Sequence, residues 1–417
     1  MRNGFIPVLL LLLLSQQLAA QKACYSYPYQ QEEILNNPSL QNKLNELEVF
    51  TRQTISNNAG IFARPDNLNI ITIPVVVHIL YHDATQYIND AVIISQMEAL
   101  NRDFRRMNND TVNTSAAFRS VAADCEIEFK LAISDAKRRS TTGIIRKYTP
   151  ILQWETDDKM KLSSEMGDDA WDPKSYFNIW VCDLRRTAGY SSVVGGSEKK
   201  DGVVISFNAF GTVNARTGYE KGRTTVHEVG HWLNLKHIWG DADCGDDLVD
   251  DTPKQSTFTS GCPTGIKSSC GNTPNGNMYM DYMDYTNDGC MNMFTQGQKA
   301  RMRALFAAGG PRSSILSSTG LSTPLIVESP IPDEPPKWMH PQLYPDPAIT
   351  ELNLDIAYEP RWIGKTISIV NLSGQIMMQI TISSRLQKID ISKLKPGLYI
   401  ISGNRGSEKL RLKFVKM

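Results

Sequence analysis

His227-Glu228-Val229-Gly230-His231-Trp232-Leu233-Asn234-Leu235-Lys236-His237 decides how this chain is read. It gathers three of the chain's six histidines. A helix over 225–234 puts His227 and His231 one turn apart on one face. Two imidazoles so spaced can hold one Zn²⁺ at about 2.0–2.1 Å each. Glu228 lies about 100° further round, where a carboxylate reaches a metal-bound water without being a ligand. The helix must then end, so that His237 can return as a third ligand. A left-handed residue makes that turn, usually glycine. Asn234 stands there, and asparagine is among the side-chain-bearing residues that adopt the conformation most readily. Three neutral imidazoles leave the Zn²⁺ charge uncompensated and a fourth position open, which lowers the pKa of a bound water to about 7. Glu228 is then placed to take the water's proton as a general base. An ordinary amphipathic surface helix is the competing reading of the short motif, and the third histidine weighs against it.

Outward from this motif the chain reads as several units. Its 417 residues suggest two or three folded domains. Its composition excludes wholesale disorder, collagen and coiled coil. With 44 basic and 44 acidic side chains, charge gives no reason to expect nucleic acid or an anionic membrane as partner. Phe5 to Leu14 is apolar but too short to span a bilayer. With Leu18-Ala19-Ala20 behind it, residues 1–20 read as a secretory signal peptide, which implies export and no permanent membrane anchor. The alternative is an anchor. Gln21, Lys22 and Ala23 lack the pattern for lipidation at Cys24.

Residues 21–65 are polar, with a helix expected after Asn37-Pro38 carrying Leu40, Leu44 and Leu47 on one stripe. They read as a pro-segment. Asn69 to Leu80 is almost wholly apolar and β-branched, a buried strand. An amphipathic helix follows over 91–107, with Ile94, Met97, Leu100 and Phe104 on one face. Strands are expected at 126–133, 177–183 and 202–207, so 66–310 is one mixed α/β unit. Residues 311–341, rich in serine and proline, read as a linker. From 342 to 417 short alternating strands separated by turn signals predict a small all-β sandwich.

Seven cysteines in an exported chain make disulfides expected and leave at least one thiol over. Cys244, Cys262, Cys270 and Cys290 lie close together. They read as a stapled loop region; a structural zinc site is the alternative, without the close spacing such sites use.

At this point the chain resembles a known family. The motif from His227 to His237 is similar to the long zinc motif of the metzincin endopeptidases. Tyr282-Met283-Asp284-Tyr285-Thr286-Asn287-Asp288-Gly289-Cys290-Met291-Asn292-Met293-Phe294-Thr295 resembles the Met-turn of their pappalysin branch, specifically its bacterial cytophagalysin-like members. The resemblance implies a mixed α/β metzincin-like domain with a twisted sheet, an active-site helix and an irregular, disulfide-braced C-terminal part. It implies Met283 beneath the zinc and Tyr285 as stabiliser of the oxyanion. Met280-Asp281-Tyr282 repeats the tripeptide, so a register three residues earlier is the alternative. It also implies disulfides Cys244–Cys270 and Cys262–Cys290. Calcium is expected at Asp247, Val249 (through its carbonyl), Asp251 and Thr252, against a solvated acidic loop that also contains Asp241. Cys125 and Cys182 then remain and can pair. Cys24 is the odd thiol, whose thiolate can occupy the fourth zinc position and hold the enzyme latent; an unpaired extension cysteine is the alternative. Arg52 and Arg64 are candidate activation sites.

The tail also resembles a known module. Leu343-Tyr344-Pro345-Asp346-Pro347-Ala348, Gly397-Leu398-Tyr399-Ile400 and Lys413-Phe414-Val415-Lys416 are similar to the sorting domain of the type IX secretion system. That implies the secretion machinery as partner and a bacterial protein delivered to the cell surface or beyond. The expected function is hydrolysis of internal peptide bonds in proteins by a secreted zinc endopeptidase, made as a latent precursor. The rival is a catalytically silent, metal-binding adhesin on the same scaffold, whose signature would be loss of Glu228. Relatives often favour basic residues on the primed side, for which Asp288 is a candidate acid.

Overall fold

The computed structural model describes residues 22–62, 70–213, 215–329, 334–406 and 408–417. The signal-peptide reading and Arg64 lie outside them. In chain order the first unit runs β1 (Lys22–Cys24), α1 (Ser26–Asn36), α2 (Ser39–Phe62), β2 (Ile71–Tyr81), α3 (Asp90–Phe104), β3 (Ala122–Ala123), β4 (Ile127–Leu131), β5 (Ile144–Tyr148), β6 (Phe177–Cys182), β7 (Thr187–Ser191), β8 (Val203–Ser206), α4 (Arg223–Trp232), β9 (Phe294–Thr295) and α5 (Gln296–Ala304).

β2 is the apolar run read as a buried strand, and it is the hub of the sheet. It pairs in parallel with β6 on one edge, and with β4 and then β5 on the other. The main order is β1-β7-β8-β6-β2-β4. The β7–β8 pairing is the one antiparallel pairing of this sheet among the described residues, and β1 closes that edge running parallel to β7. Strands buried on both faces need cover on both. One face carries α3 and α4 over Ile73, Val75, Val77 and Ile179. On the other, α1 and α2 contribute Tyr29 and Leu40 to a cluster with Trp180, Tyr190 and Val204.

α3 starts at Asn89, whose side chain accepts from the Val92 N–H, an N-cap worth about 1 kcal/mol. Its inward row differs by one residue from expectation. Ile93, Met97, Leu100 and Phe104 are buried, whereas Ile94 is 49% exposed. The row i, i+4, i+7, i+11 is the one that stays on a single face. Cys125 and Cys182 do not pair: both are free and buried. Cys125 belongs to the core beneath α3 and Cys182 to the cluster on the opposite face, so the sheet separates them.

α4 begins two residues before the expected 225 and ends two before 234. Leu233 N–H still reaches Val229 O at 2.9 Å. Asn234 then takes φ +67°, and Leu235 N–H closes on Gly230 O at 3.0 Å. Gly230 matters for a second reason: a Cβ there would sit 2.5 Å from the Met283 sulfur.

Residues 313–326, inside the stretch read as linker, lie against the first unit. Ile315 is buried in its core, and the Ile133 and Ser134 N–H groups donate to Gly320 O. The tail is two facing sheets. β10 (Gln342–Tyr344), β11 (Glu351–Asp355) and β14 (Leu386–Asp390) form one. β12 (Thr366–Asn371), β13 (Ile376–Thr381), β15 (Gly397–Arg405) and β16 (Glu408–Lys416) form the other. Leu352, Leu354, Ile367, Ile369, Ile401 and Phe414 fill the space between them.

The left-handed turn at Asn234 yields a direct test. Asn234→Ala is expected to cost about 1–2 kcal/mol, a fall in Tm of about 2–4 °C per kcal/mol. Asn234→Gly is expected to hold the wild-type Tm, measured by scanning calorimetry.

Candidate active site

Three imidazoles converge below β7. His231 Nε2 lies 3.1 Å from His227 Nε2 and 3.1 Å from His237 Nε2. Each Nδ1 faces an acceptor: Tyr282 O at 2.7 Å for His227, Leu235 O at 2.9 Å for His231, Asp241 Oδ1 at 2.5 Å for His237. An acceptor at Nδ1 fixes that nitrogen as the donor. All three Nε2 lone pairs therefore point at one another with no proton between them. Burial pushes His227 down to about 3 and His231 well below the ordinary histidine range, each helped by the neighbouring His237. Buried lone pairs that repel one another fit a cation, and the nitrogen spacing suits bonds of about 2.0–2.1 Å to one ion.

Asp241 was read only as one acid of the loop after the third histidine. Its carboxylate instead holds the third histidine. An acid one helical turn's spacing after the last histidine of the motif was the sequence signal available for it.

Cys24 enters from β1. Its sulfur and the three histidines offer donor atoms all within 4.8 Å of one another. Glu228 projects beside them and is wholly buried. Its Oε2 accepts from Ser26 Oγ at 2.7 Å and lies 3.4 Å from the Cys24 sulfur. Burial raises its carboxyl to about 8, against the lowering pull of Ser26 and Cys24. A Cβ on Gly189 of β7 would meet Glu228 Cγ at 3.0 Å, so the strand passes close over the carboxylate. Ser26 was not singled out from sequence, where a serine two residues past a cysteine carries no signal.

Met283 is fully buried, with its sulfur under Gly230. Tyr285 OH lies 3.0 Å from His237 Nε2 and 3.4 Å from Cys24 O. Burial, with the nearby Cys24 and Glu228, pushes its phenol far above the ordinary range, so it stays a donor.

Beside the histidines a pocket is lined by Gly218, Tyr219, Thr224, Asn287, Asp288 and Met291. Asp288 Oδ2 accepts from the backbone N–H groups of Lys221 and Arg223 at 2.9 and 3.0 Å, at the start of α4. Burial raises its carboxyl to about 6, against those two N–H groups. Arg223 is itself buried and bonded to Asp103 and Asp110. This cluster fixes the helix's first turn to the segment that carries Tyr285.

Disulfides Cys244–Cys270 and Cys262–Cys290 tie the loops after the third histidine. They close 26 and 28 residues, worth about 3.5 kcal/mol each in the chain-entropy account. Thr252 Oγ1 lies 2.9 Å from both Asp247 oxygens and 2.8 Å from Val249 O. Asp251 points elsewhere: its oxygens accept from Thr295 Oγ1 and the Gly297 N–H. Burial pushes Asp247 up to about 7, against the hydrogen bonds from Thr252 and Val249.

Comparison with known proteins places this geometry in context. Residues 161–307 match the family model described as pregnancy-associated plasma protein-A, and residues 342–417 match that of the secretion system C-terminal sorting domain. An extracellular metalloprotease of Pyricularia oryzae is 33% identical over 254 residues, 60% of this chain and 79% of the relative. One of Arthroderma gypseum is 28% identical over 319 residues, 73% and 90% of the two chains. Among solved structures, a mutant of Tannerella forsythia promirolysin has a TM-score of 0.62 at 40% identity, covering 72% of this chain and 98% of that one. Mature mirolysin with a cleaved peptide has a TM-score of 0.59 at 46% identity, covering 60% and 96%.

Asp241→Ala frees His237 Nδ1 and is expected to weaken metal retention about ten- to a hundredfold, read by chelator competition on the purified protein.

Proposed function

The chain belongs to the pappalysin-like metalloproteases, and we propose that its metal is zinc, held through the Nε2 atoms of His227, His231 and His237. The protein is a secreted metalloendopeptidase made as a latent precursor, and its tail is a type IX sorting domain. No helix among the described residues is long and apolar enough to cross a membrane. The observation that carries the zinc reading is the set of three buried lone pairs aimed at one point. Nitrogen-only donors with an open position suit a catalytic zinc.

When bound, zinc supplies a Lewis acid that polarises the scissile carbonyl and acidifies the attacking water. The chain's own groups do the rest. Glu228 takes the water's proton and hands it to the leaving amine. Tyr285 OH, kept protonated by burial, donates to the developing oxyanion. Met283 supports the histidines from below. The pocket floored by Asp288 accepts a side chain after the scissile bond, and its acid favours a basic one.

In the precursor Cys24 is the latency ligand, with its sulfur among the three histidines. Residues 21–65 are the pro-segment that carries it. Calcium binds at Asp247, Val249 O and Thr252, where a cation would relieve the cost of the buried carboxylate. Asp251 supports that site from the α5 side. A silent scaffold gains no support from a site in which Glu228 is present and held beside the histidines.

The decisive experiment is zinc content together with proteolysis of an unfolded protein. One zinc per chain is expected. Glu228→Ala is expected to cut kcat by at least about 10²–10⁴-fold with zinc retained. Tyr285→Phe should cost about 10²–10³-fold, mostly in kcat. Zinc binding with no cleavage after removal of residues 1–65 would move the reading to the silent scaffold. Asp288→Asn should erode the preference for Arg or Lys after the cut. Saturating calcium, at about a hundred times Kd, should add about 2.7 kcal/mol of stability, and EGTA should remove it.

A further inference from the structure

On the face of the sheet away from α4 lies a polar pocket unrelated to the metal. Asp158 is at its centre, with φ +64° and no exposed surface. Its carboxylate is approached by Lys161 Nζ at 2.8 Å and Lys200 Nζ at 3.1 Å. Tyr190 OH donates to it at 2.9 Å. The remaining donor comes from α1: Tyr29 OH, at 2.6 Å. Burial raises the Asp158 carboxyl, and the Lys161 ammonium and its hydrogen bonds more than offset that. Burial also pushes the Tyr29 phenol far up, so it remains a donor.

The walls belong to the peptidase unit and are braced without α1. Lys161 Nζ also donates to Lys200 O at 2.9 Å. It faces the rings of Tyr190 and Trp180 at 4.9 and 5.4 Å. Trp180 Nε1 is held by Asp168 O. The Tyr29 ring packs on Tyr190 with centroids 5.1 Å apart. One turn further along α1, Glu33 pairs with Lys200 at 3.3 Å. Buried charges with their own scaffold and one donor supplied from outside describe a preformed ligand site. Left open, Asp158 would lose that donor, which is why a phenol and not a phenyl ring fits.

We propose that Asp158, Lys161, Tyr190 and Lys200 form a recognition site for a tyrosine on a helix with an acid one turn later. Tyr29 and Glu33 are its occupants here. Through this site the pro-segment is held independently of Cys24, and after cleavage between α2 and β2 it acts in trans. The inference rests on reading residues 21–65 as the pro-segment.

The test uses enzyme matured from the full precursor and a labelled synthetic peptide of residues 22–62. The peptide carries Cys24→Ala and Ser26→Ala, so it touches neither the metal nor Glu228. Fluorescence anisotropy reads binding whether or not the enzyme is active. Saturable binding is expected, weakened about ten- to a hundredfold by Tyr29→Phe and less by Glu33→Gln. Equal binding of the Tyr29→Phe peptide overturns the proposal. So does failure of the doubly substituted peptide to bind while the unsubstituted one inhibits, since the metal contact then carries recognition alone. If Cys24 is not the latency ligand, the unsubstituted peptide binds without blocking the metal, and the Tyr29→Phe comparison still decides. In the precursor, Tyr29→Phe should speed maturation while leaving the matured enzyme's kcat unchanged, because Tyr29 is no longer part of it.

Discussion

The site depends on one reversal of the chain after His231. Had α4 continued, His237 would stand about 9 Å further along the axis and about 240° round it. It could then share nothing with His227. The helix therefore stops at Trp232, and Asn234 takes a left-handed conformation that costs most side-chain-bearing residues about 1–2 kcal/mol and asparagine less. Gly230 adds its own cost in a helix interior, about 1 kcal/mol relative to alanine. Both residues break local rules where the site requires it. Gly230 leaves room for the Met283 sulfur and its carbonyl closes the turn through Leu235.

Orientation follows from the same segments. The three Nδ1 acceptors come from Tyr282, Leu235 and Asp241, so the stretches on both sides of the disulfide-braced loops hold the imidazoles. Asp241 alone is charged, and an anionic partner raises the donor strength of its histidine. At the other end of α4, Asp288 accepts from the helix's first turn while the carbonyls of Asp288 and Met291 receive the Arg223 guanidinium. The helix is thus fixed at both ends to the segment containing Tyr285, which keeps the phenol and the histidines in register.

Much of this was legible because it is local. The His227–His237 spacing, the apolar run of β2 and the alternation in the tail each carry their own signal. α2 was found from Leu40, Leu44 and Leu47. β5 and β7 were not: Ile144–Tyr148 has two basic residues, and Thr187–Ser191 holds a glycine and little apolar surface. Both are strands because neighbours pair with them. The helix over Ser26–Asn36 is polar enough to read as extension, and only docking against Trp180 and Tyr190 gives it a buried face. The roles of Ser26 and Asp158 depend on contacts from distant segments, which no spacing rule encodes, whereas Asp241 is local to His237 and was hidden among the other acids of its loop. Cys125 and Cys182 show the converse. Both sit near strands, and only the sheet's two faces reveal that they are apart.

On our reading of residues 21–65 as the pro-segment, its first strand occupies the sheet edge beside the histidines. β7 pairs with β8 on one side only, and an open edge is a template for another strand. β1 covers it: Tyr25 N–H donates to Gly189 O, and Ser26 Oγ accepts from the Ser191 N–H while donating to Glu228. Glu48 of α2 then pairs with the buried Arg301 of α5 across the cleft. Blocking therefore does not reduce to one sulfur on one metal. Cutting the chain between α2 and β2 leaves every one of these contacts in place. It changes an intramolecular association into a bimolecular one, so release is governed by dilution below the effective concentration that the covalent link imposed.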